Sequence, residues 1–245
     1  MLSLIQTEFL KLKRKKFIWF MFIPALLMPL VAVLYFKAGS QVDLTPIKFY
    51  RWTAFSYTTW LILQFVLGML ITMLVYQEVE NNLLTQLWIV PVGKLRFIIS
   101  KFCVMWLYSI CFMLICASGS IVIGSVSGLI EITNTSVLNL ILKCLEIGAL
   151  LPFGMIPILA LATTQKGYIL PVSTTIVYVF FGFISLMGNM YPHPLSSVIG
   201  ILMRNIEGVV MKDPVQIWKA LLYITLWSGT SIALAINVLR KGKVL

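Results

Sequence analysis

Charge is scarce in these 245 residues: only 11% are Asp, Glu, Lys or Arg, against roughly 25% in a soluble domain. That excludes an ordinary soluble fold. Eight acids and a single histidine, His193, leave an intramembrane hydrolase short of parts. There is no H-E-x-x-H for zinc, no G-x-S-x-G nucleophile turn and no paired-aspartate motif for a phosphotransferase. No G-x-x-x-x-G-K-[ST] loop exists to cradle nucleotide phosphates. Four cysteines, Cys103, Cys111, Cys116 and Cys144, never stand in a C-x-x-C pair, which removes the common redox and zinc patterns. They read as small apolar side chains in or beside oily runs. His193, between Pro192 and Pro194, reads as a solvated or interfacial side chain rather than a metal ligand.

What the chain does have is apolar length. Hydrophobic residues make up 60% of it and the mean hydropathy is +0.98. About 20 helical residues cross the hydrocarbon of a bilayer. Six runs qualify, near 17–36, 56–76, 102–126, 137–163, 168–188 and 218–239. The first is long for a signal-peptide core and no A-x-A site follows it, so it reads as a retained span. The expected fold is an all-α integral membrane protein, one six-span domain over 1–245. The net charge of +11 points to loop placement rather than nucleic acid. If the N-terminus is cytoplasmic, the inner segments hold twelve Lys and Arg against seven outside. The cluster Lys11, Lys13, Arg14, Lys15 and Lys16 weighs most under the positive-inside rule. Both termini are thus expected inside.

Three polar stretches interrupt the oil. The first is 77–101, "QEVENNLLTQLWIVPVGKLRFIISK". Glu78 and Glu80 suit a helix N-terminus, with Asn81 or Asn82 as cap. Leu83, Leu84, Leu87 and Trp88 then share one face of a short helix. Val90-Pro91 ends it, and Lys94, Arg96 and Lys101 are expected to meet lipid headgroups. The second is 189–217, where Leu195, Val198, Ile199, Leu202 and Ile206 form a helical stripe after two prolines. The third is the basic N-terminus, 1–16. Inside the spans polar groups are few and expensive unless paired. Lys143 and Glu146 are three apart on the fourth span and can pair; with Gln64 on the second span they are the candidates for a cargo path. Pro152, Gly154 and Pro157 predict a kink in the fourth span. Ser120, Gly124 and Gly128 offer a small-residue ridge for close helix packing.

The order of these parts resembles the ABC type-2 permeases, the membrane subunits of a class of ATP-driven transporters. The order is acid after the second span, short amphipathic helix, proline, basic turn and a lysine opening the third span. "IQTEFLKLKRKKFIW", with Glu8, Lys11 and Leu12, is similar to that family's opening, an interfacial helix leading into the first span. Many members carry Gly-Thr after the loop's acid; here the chain reads Val79-Glu80-Asn81-Asn82. The resemblance implies a cytoplasmic coupling helix that docks into an ATPase, a role carried onto Glu78, Leu83, Leu84, Leu87 and Trp88. It implies a short extracellular helical segment between spans five and six. ATP and Mg would then be bound by two separate cytoplasmic ATPase subunits and no cofactor by this chain, which is not itself an enzyme. A second permease subunit, identical or homologous, is expected, in a bacterial plasma membrane with lipid and not nucleic acid as neighbour. The small size and lack of a large outer domain resemble permeases that protect against lantibiotics and bacitracin-like peptides. A lipid or polysaccharide permease, or an ATP-independent channel or carrier, are the other readings.

Overall fold

Twelve residues of the basic N-terminus wind into a first helix before the oily runs begin. The computed structural model describes residues 2–13, 15–39, 45–81, 93–206, 209 and 214–240, and among them every regular element is helical. In chain order these are α1 (Leu2–Lys13), α2 (Lys16–Phe20), α3 (Pro24–Ala38), α4 (Pro46–Tyr50), α5 (Leu63–Glu80), α6 (Lys94–Val126), α7 (Asn134–Gly154), α8 (Ile156–Thr163), α9 (Ile169–Met187), α10 (Pro194–Met203) and α11 (Ile217–Arg240). Six stretches are long and apolar enough to cross a membrane: Lys16–Ala38, Pro46–Glu80, Lys94–Val126, Asn134–Gly154, Ile169–Met187 and Ile217–Arg240. They bear out the six expected spans. The protein is a multi-pass membrane protein.

The first span bends where Pro24 opens α3. Phe22, Ile23, Ala25 and Leu26 donate to carbonyls three residues back instead of four, a tightened turn that suits a proline with no N–H to give. The second span starts ten residues earlier than its hydropathy suggests. Thr45 caps it and Pro46 takes the first helical position. It then winds wide, in π-helical turns at Arg51–Phe55 and Thr58–Ile62. Wide turns leave carbonyls poorly met by the backbone, and side chains five residues on meet them. The Thr58 hydroxyl donates to the Thr53 carbonyl at 2.5 Å, Thr59 to Ala54 at 2.9 Å and Gln64 Nε2 to Thr59 at 3.2 Å. Gln64, a candidate for the cargo path, thus has one partner on its own helix. It is buried, with Nε2 bonded within that helix.

α6 is the central mast. At 33 residues it is about 50 Å long, well beyond a hydrocarbon core of about 30 Å. It packs on α1, α3, α5 and α7. Gly148 of α7 lies so close to α6 that a Cβ there would stand 2.9 Å from the Ile110 Cα. On the expected ridge, Ser120 is buried and Gly124 abuts Ile130 and Phe49. Gly128 does different work: with φ at +70° and nothing near it, it turns the chain after α6, a conformation that suits a residue without Cβ.

The predicted kink is present. α7 ends at Gly154 and α8 restarts at Ile156, because Pro157 has no N–H for the helical ladder. The Tyr178 hydroxyl donates to the freed Gly154 carbonyl at 2.7 Å. α10 holds more than a stripe, since all ten of its residues are buried. After α9 the chain turns back into the bundle, so that the His193 ring packs 4.4 Å from that of Tyr178. Trp227 Nε1 of α11 donates to the Pro192 carbonyl at 2.8 Å. His193 is therefore not solvated. It is buried under α9, and burial pushes its pKa down to about 4, so the ring is neutral at pH 7.

Candidate functional site

The site grows from four charged side chains on three helices at the N-terminal end of the bundle. α1 brings Glu8 and Lys11, one helical turn apart and on one face. α5 brings Glu78 on its last turn. α6 brings Lys101, seven residues in and so about 10 Å along the helix. Lys101 Nζ lies 2.6 Å from Glu8 Oε2 and 2.6 Å from Glu78 Oε1. Lys11 Nζ lies 2.5 Å from the same Glu78 oxygen and 2.8 Å from Glu8 Oε1. The four groups close a ring of alternating sign with no net charge.

Burial makes this ring unusual. Lys101 and Glu78 are each 1% exposed and Glu8 2%; Lys11 keeps about a third of its side chain in contact with the surroundings. Removing such ions from water costs several kcal/mol each, and only close opposite charges offset that. The Lys101 ammonium also lies 5.3 Å from the centroid of the Phe97 ring, a further favourable contact for a cation. Burial alone would push the Glu8 carboxyl up, but Lys101 and Lys11 beside it hold it below the usual carboxylate value. Burial would likewise pull Lys11 down, and its hydrogen bonds to Glu78 and Glu8 instead hold it above the usual lysine value.

The ring stands at the mouth of the loop between the second and third spans. Glu78 is three residues before Asn81, where the description of α5 ends, and Lys101 is eight residues after Gly93, where α6 begins. A displacement of that loop would therefore reach α1, α5 and α6 together. Lys94 ties in a fourth element, since its ammonium donates to the Leu239 carbonyl near the end of α11.

Several expectations change here. Glu78 does not open a loop helix; it closes the second span, and Asn81 is the cap of that end, with Nδ2 donating to the Gln77 carbonyl at 2.6 Å. The Glu78 carboxylate is buried between the ammoniums of Lys11 and Lys101. Lys101 is not a headgroup anchor. Leu83, Leu84, Leu87 and Trp88 lie outside the described residues. Lys143 and Glu146 do pair, at 2.5 Å and partly exposed. Lys143 borders a cavity of about 260 Å³ at the opposite end of the bundle, together with Tyr50, Phe55, Ser136, Asn139 and Asn205. The ring itself went unread in the sequence. Its trace was there: acids at both Glu8 and Glu78 and a lysine at 101, each next to apolar helix, where an unpaired charge is expensive.

The sequence model described as ABC-2 family transporter protein matches residues 4–182. This chain belongs to that family. The match takes in all four members of the ring, the loop at its mouth and the first five spans up to Gly182 of α9. No curated protein matches the chain. As an ABC-2 family member it is a membrane component of a transporter.

Proposed function

We propose that this chain is the permease subunit of an ATP-driven exporter in a bacterial plasma membrane, with both termini cytoplasmic. It carries no nucleotide-binding loop, so hydrolysis belongs to a pair of cytoplasmic ATPase subunits that bind ATP and Mg. A second permease, identical or homologous, completes the pathway. The loop helix presents Leu83, Leu84, Leu87 and Trp88 to the ATPase. The observation that carries the coupling reading is the buried ring of Glu8, Lys11, Glu78 and Lys101. It makes the N-terminal helix and the inner ends of two spans one body, so a push on the loop is delivered to three helices at once rather than absorbed at a hinge.

The cargo is an amphipathic or hydrophobic molecule, with an antimicrobial peptide as the leading class. The Lys143–Glu146 pair beside the far cavity supplies the polar part of its path and the aromatic walls the apolar part. The test is transport of a labelled amphipathic peptide in inverted vesicles carrying the permease and its copurifying ATPase. Transport should need ATP and stop in Leu87→Asp and Trp88→Asp while the protein still inserts. An unpaired carboxylate forced into an apolar cleft costs several kcal/mol. Transport without ATP would leave a carrier. ATP-driven movement of a lipid-linked glycan but not of peptide would leave a lipid or polysaccharide permease.

A further inference from the structure

Beside the ring, a groove of about 350 Å³ opens between the N-terminal elbow and the third span. One wall is Val104, Leu107, Tyr108 and Cys111 of α6, spaced i, i+3, i+4, i+7 and so one continuous stripe about 10 Å long. The other wall is Phe9, Leu12, Ile18, Trp19 and Phe22. The groove is dry in character. Its one hydroxyl, on Tyr108, donates to the Ile18 carbonyl at 3.3 Å, and the Tyr108 ring stacks on Phe22 at 4.3 Å to make the floor.

The chain segment joining the two halves of that second wall is cationic. The Lys15 N–H donates to the Leu12 carbonyl and the Lys15 carbonyl accepts from Ile18, so the backbone of this lysine is pinned to a groove residue on either side. Lys16 sits one turn before Trp19 on α2. Both lysines are exposed, and neither has an ion-pair partner among the described residues. The ring has already consumed both nearby carboxylates. The groove thus offers an apolar slot, with two exposed lysines in the segment of chain between its wall residues Leu12 and Ile18. We propose that it binds one anionic phospholipid of the leaflet on the N-terminal side, with an acyl chain along Leu107 and Cys111 and the phosphate at Lys15 and Lys16. A zwitterionic lipid has the same chains, but its own cation meets the two lysines unfavourably. The lipid would wedge the elbow against α6 beside Glu8 and Lys11, whose helix also supplies Phe9 and Leu12 to the groove.

The test is native mass spectrometry of the full chain released from detergent containing equal phosphatidylglycerol and phosphatidylcholine of the same chain length. The expected result is one phosphatidylglycerol retained in preference to phosphatidylcholine. Lys15→Gln/Lys16→Gln should lower phosphatidylglycerol retention roughly fivefold per lysine, the worth of a cation near an anionic surface, and leave phosphatidylcholine unchanged. Cys111→Trp fills the slot at a position exposed to lipid and should abolish retention of either. Circular dichroism of both variants guards against loss of fold. Equal retention of the two lipids by the wild type, or retention indifferent to both variants, overturns the proposal. So does a lipid-free dimer that Cys111→Trp dissociates, which would give the groove to a second copy.

Discussion

Removing the Lys101 ammonium is the sharpest perturbation of the ring. Lys101→Met keeps the stem that packs near Phe97 and deletes the cation that lies 2.6 Å from each of two carboxylates. Glu8 and Glu78, 2% and 1% exposed, are then left to share Lys11. Breaking a buried pair in this way costs about 3–5 kcal/mol, which for a chain of this size is a fall in Tm of roughly 6–20 °C. Glu78→Gln should cost less, because its amide oxygen still accepts from a lysine. The double variant is the test: it returns the ring to neutrality as the Glu8–Lys11 pair on α1. It should be no less stable than Lys101→Met, with a coupling between the two changes of about 0.5–3 kcal/mol. The assay is thermal unfolding of the purified chain in one detergent at pH 7, followed by intrinsic fluorescence. Additive losses, or a Lys101→Met protein that melts with the wild type, would refute the ring as a cooperative unit. Transport separates its mechanical role from its structural one. If the ring transmits force, the double variant stays folded yet loses ATP-dependent transport, because α5 and α6 are no longer bonded to each other.

Stability should be level between about pH 7 and 10 and should begin to fall below about 6.5, because the unfolded chain takes up a proton that buried His193, with its pKa lowered to about 4, does not. The stabilisation tied to Glu8, whose pKa is depressed, is complete above its ordinary value of 4.5 and lost as pH falls through the lowered one. That tied to Lys11, whose pKa is raised, is complete below 10.5 and lost as pH rises through the higher one; a Tm profile from pH 3 to 11 checks both limbs. Gly148→Ala should cost about 1–3 kcal/mol, because the new methyl meets backbone of Ile110 and Ser109, which cannot step aside. Gly119→Ala should cost less, since it meets first the end of the Leu26 side chain; thermal unfolding compares them. Lys143→Met/Glu146→Gln should shift stability by no more than about 1 kcal/mol, as partly exposed pairs do, while changing cargo preference in vesicle transport. Unchanged preference would remove the pair from the path.

Hydropathy over twenty residues is a long average, and it made six spans legible along with the break at Pro157. Short-range chemistry was harder to read. The second span begins at Pro46 because Thr53, Thr58, Thr59 and Gln64 can bond back along wide turns, and none of these polar residues looks like helix interior in an oily window. Glu78 and Glu80 follow an apolar run, a placement that suggests the start of the next element. Yet Gln-Glu-Val-Glu contains nothing that stops a helix, and the span continues until Asn81 caps it. The ring was the least legible feature of all. Glu8, Lys11, Glu78 and Lys101 come from three distant parts of the chain, and each alone resembles an ordinary charge at a membrane interface. What distinguishes them is a constraint on the set: two acids and two lysines end up on one side, at one depth, against apolar helix. A charge in that position must find a partner or neutralise. With only eight acids in the chain, the partners available to a lysine placed eight residues into the third span were few. Glu78, just before the loop that leads to it, was the first that geometry allowed. Scarcity of charge, which excluded so many functions at the outset, therefore also narrows where the remaining charges pair. In this family member the most buried of them pair where the loop meets the bundle.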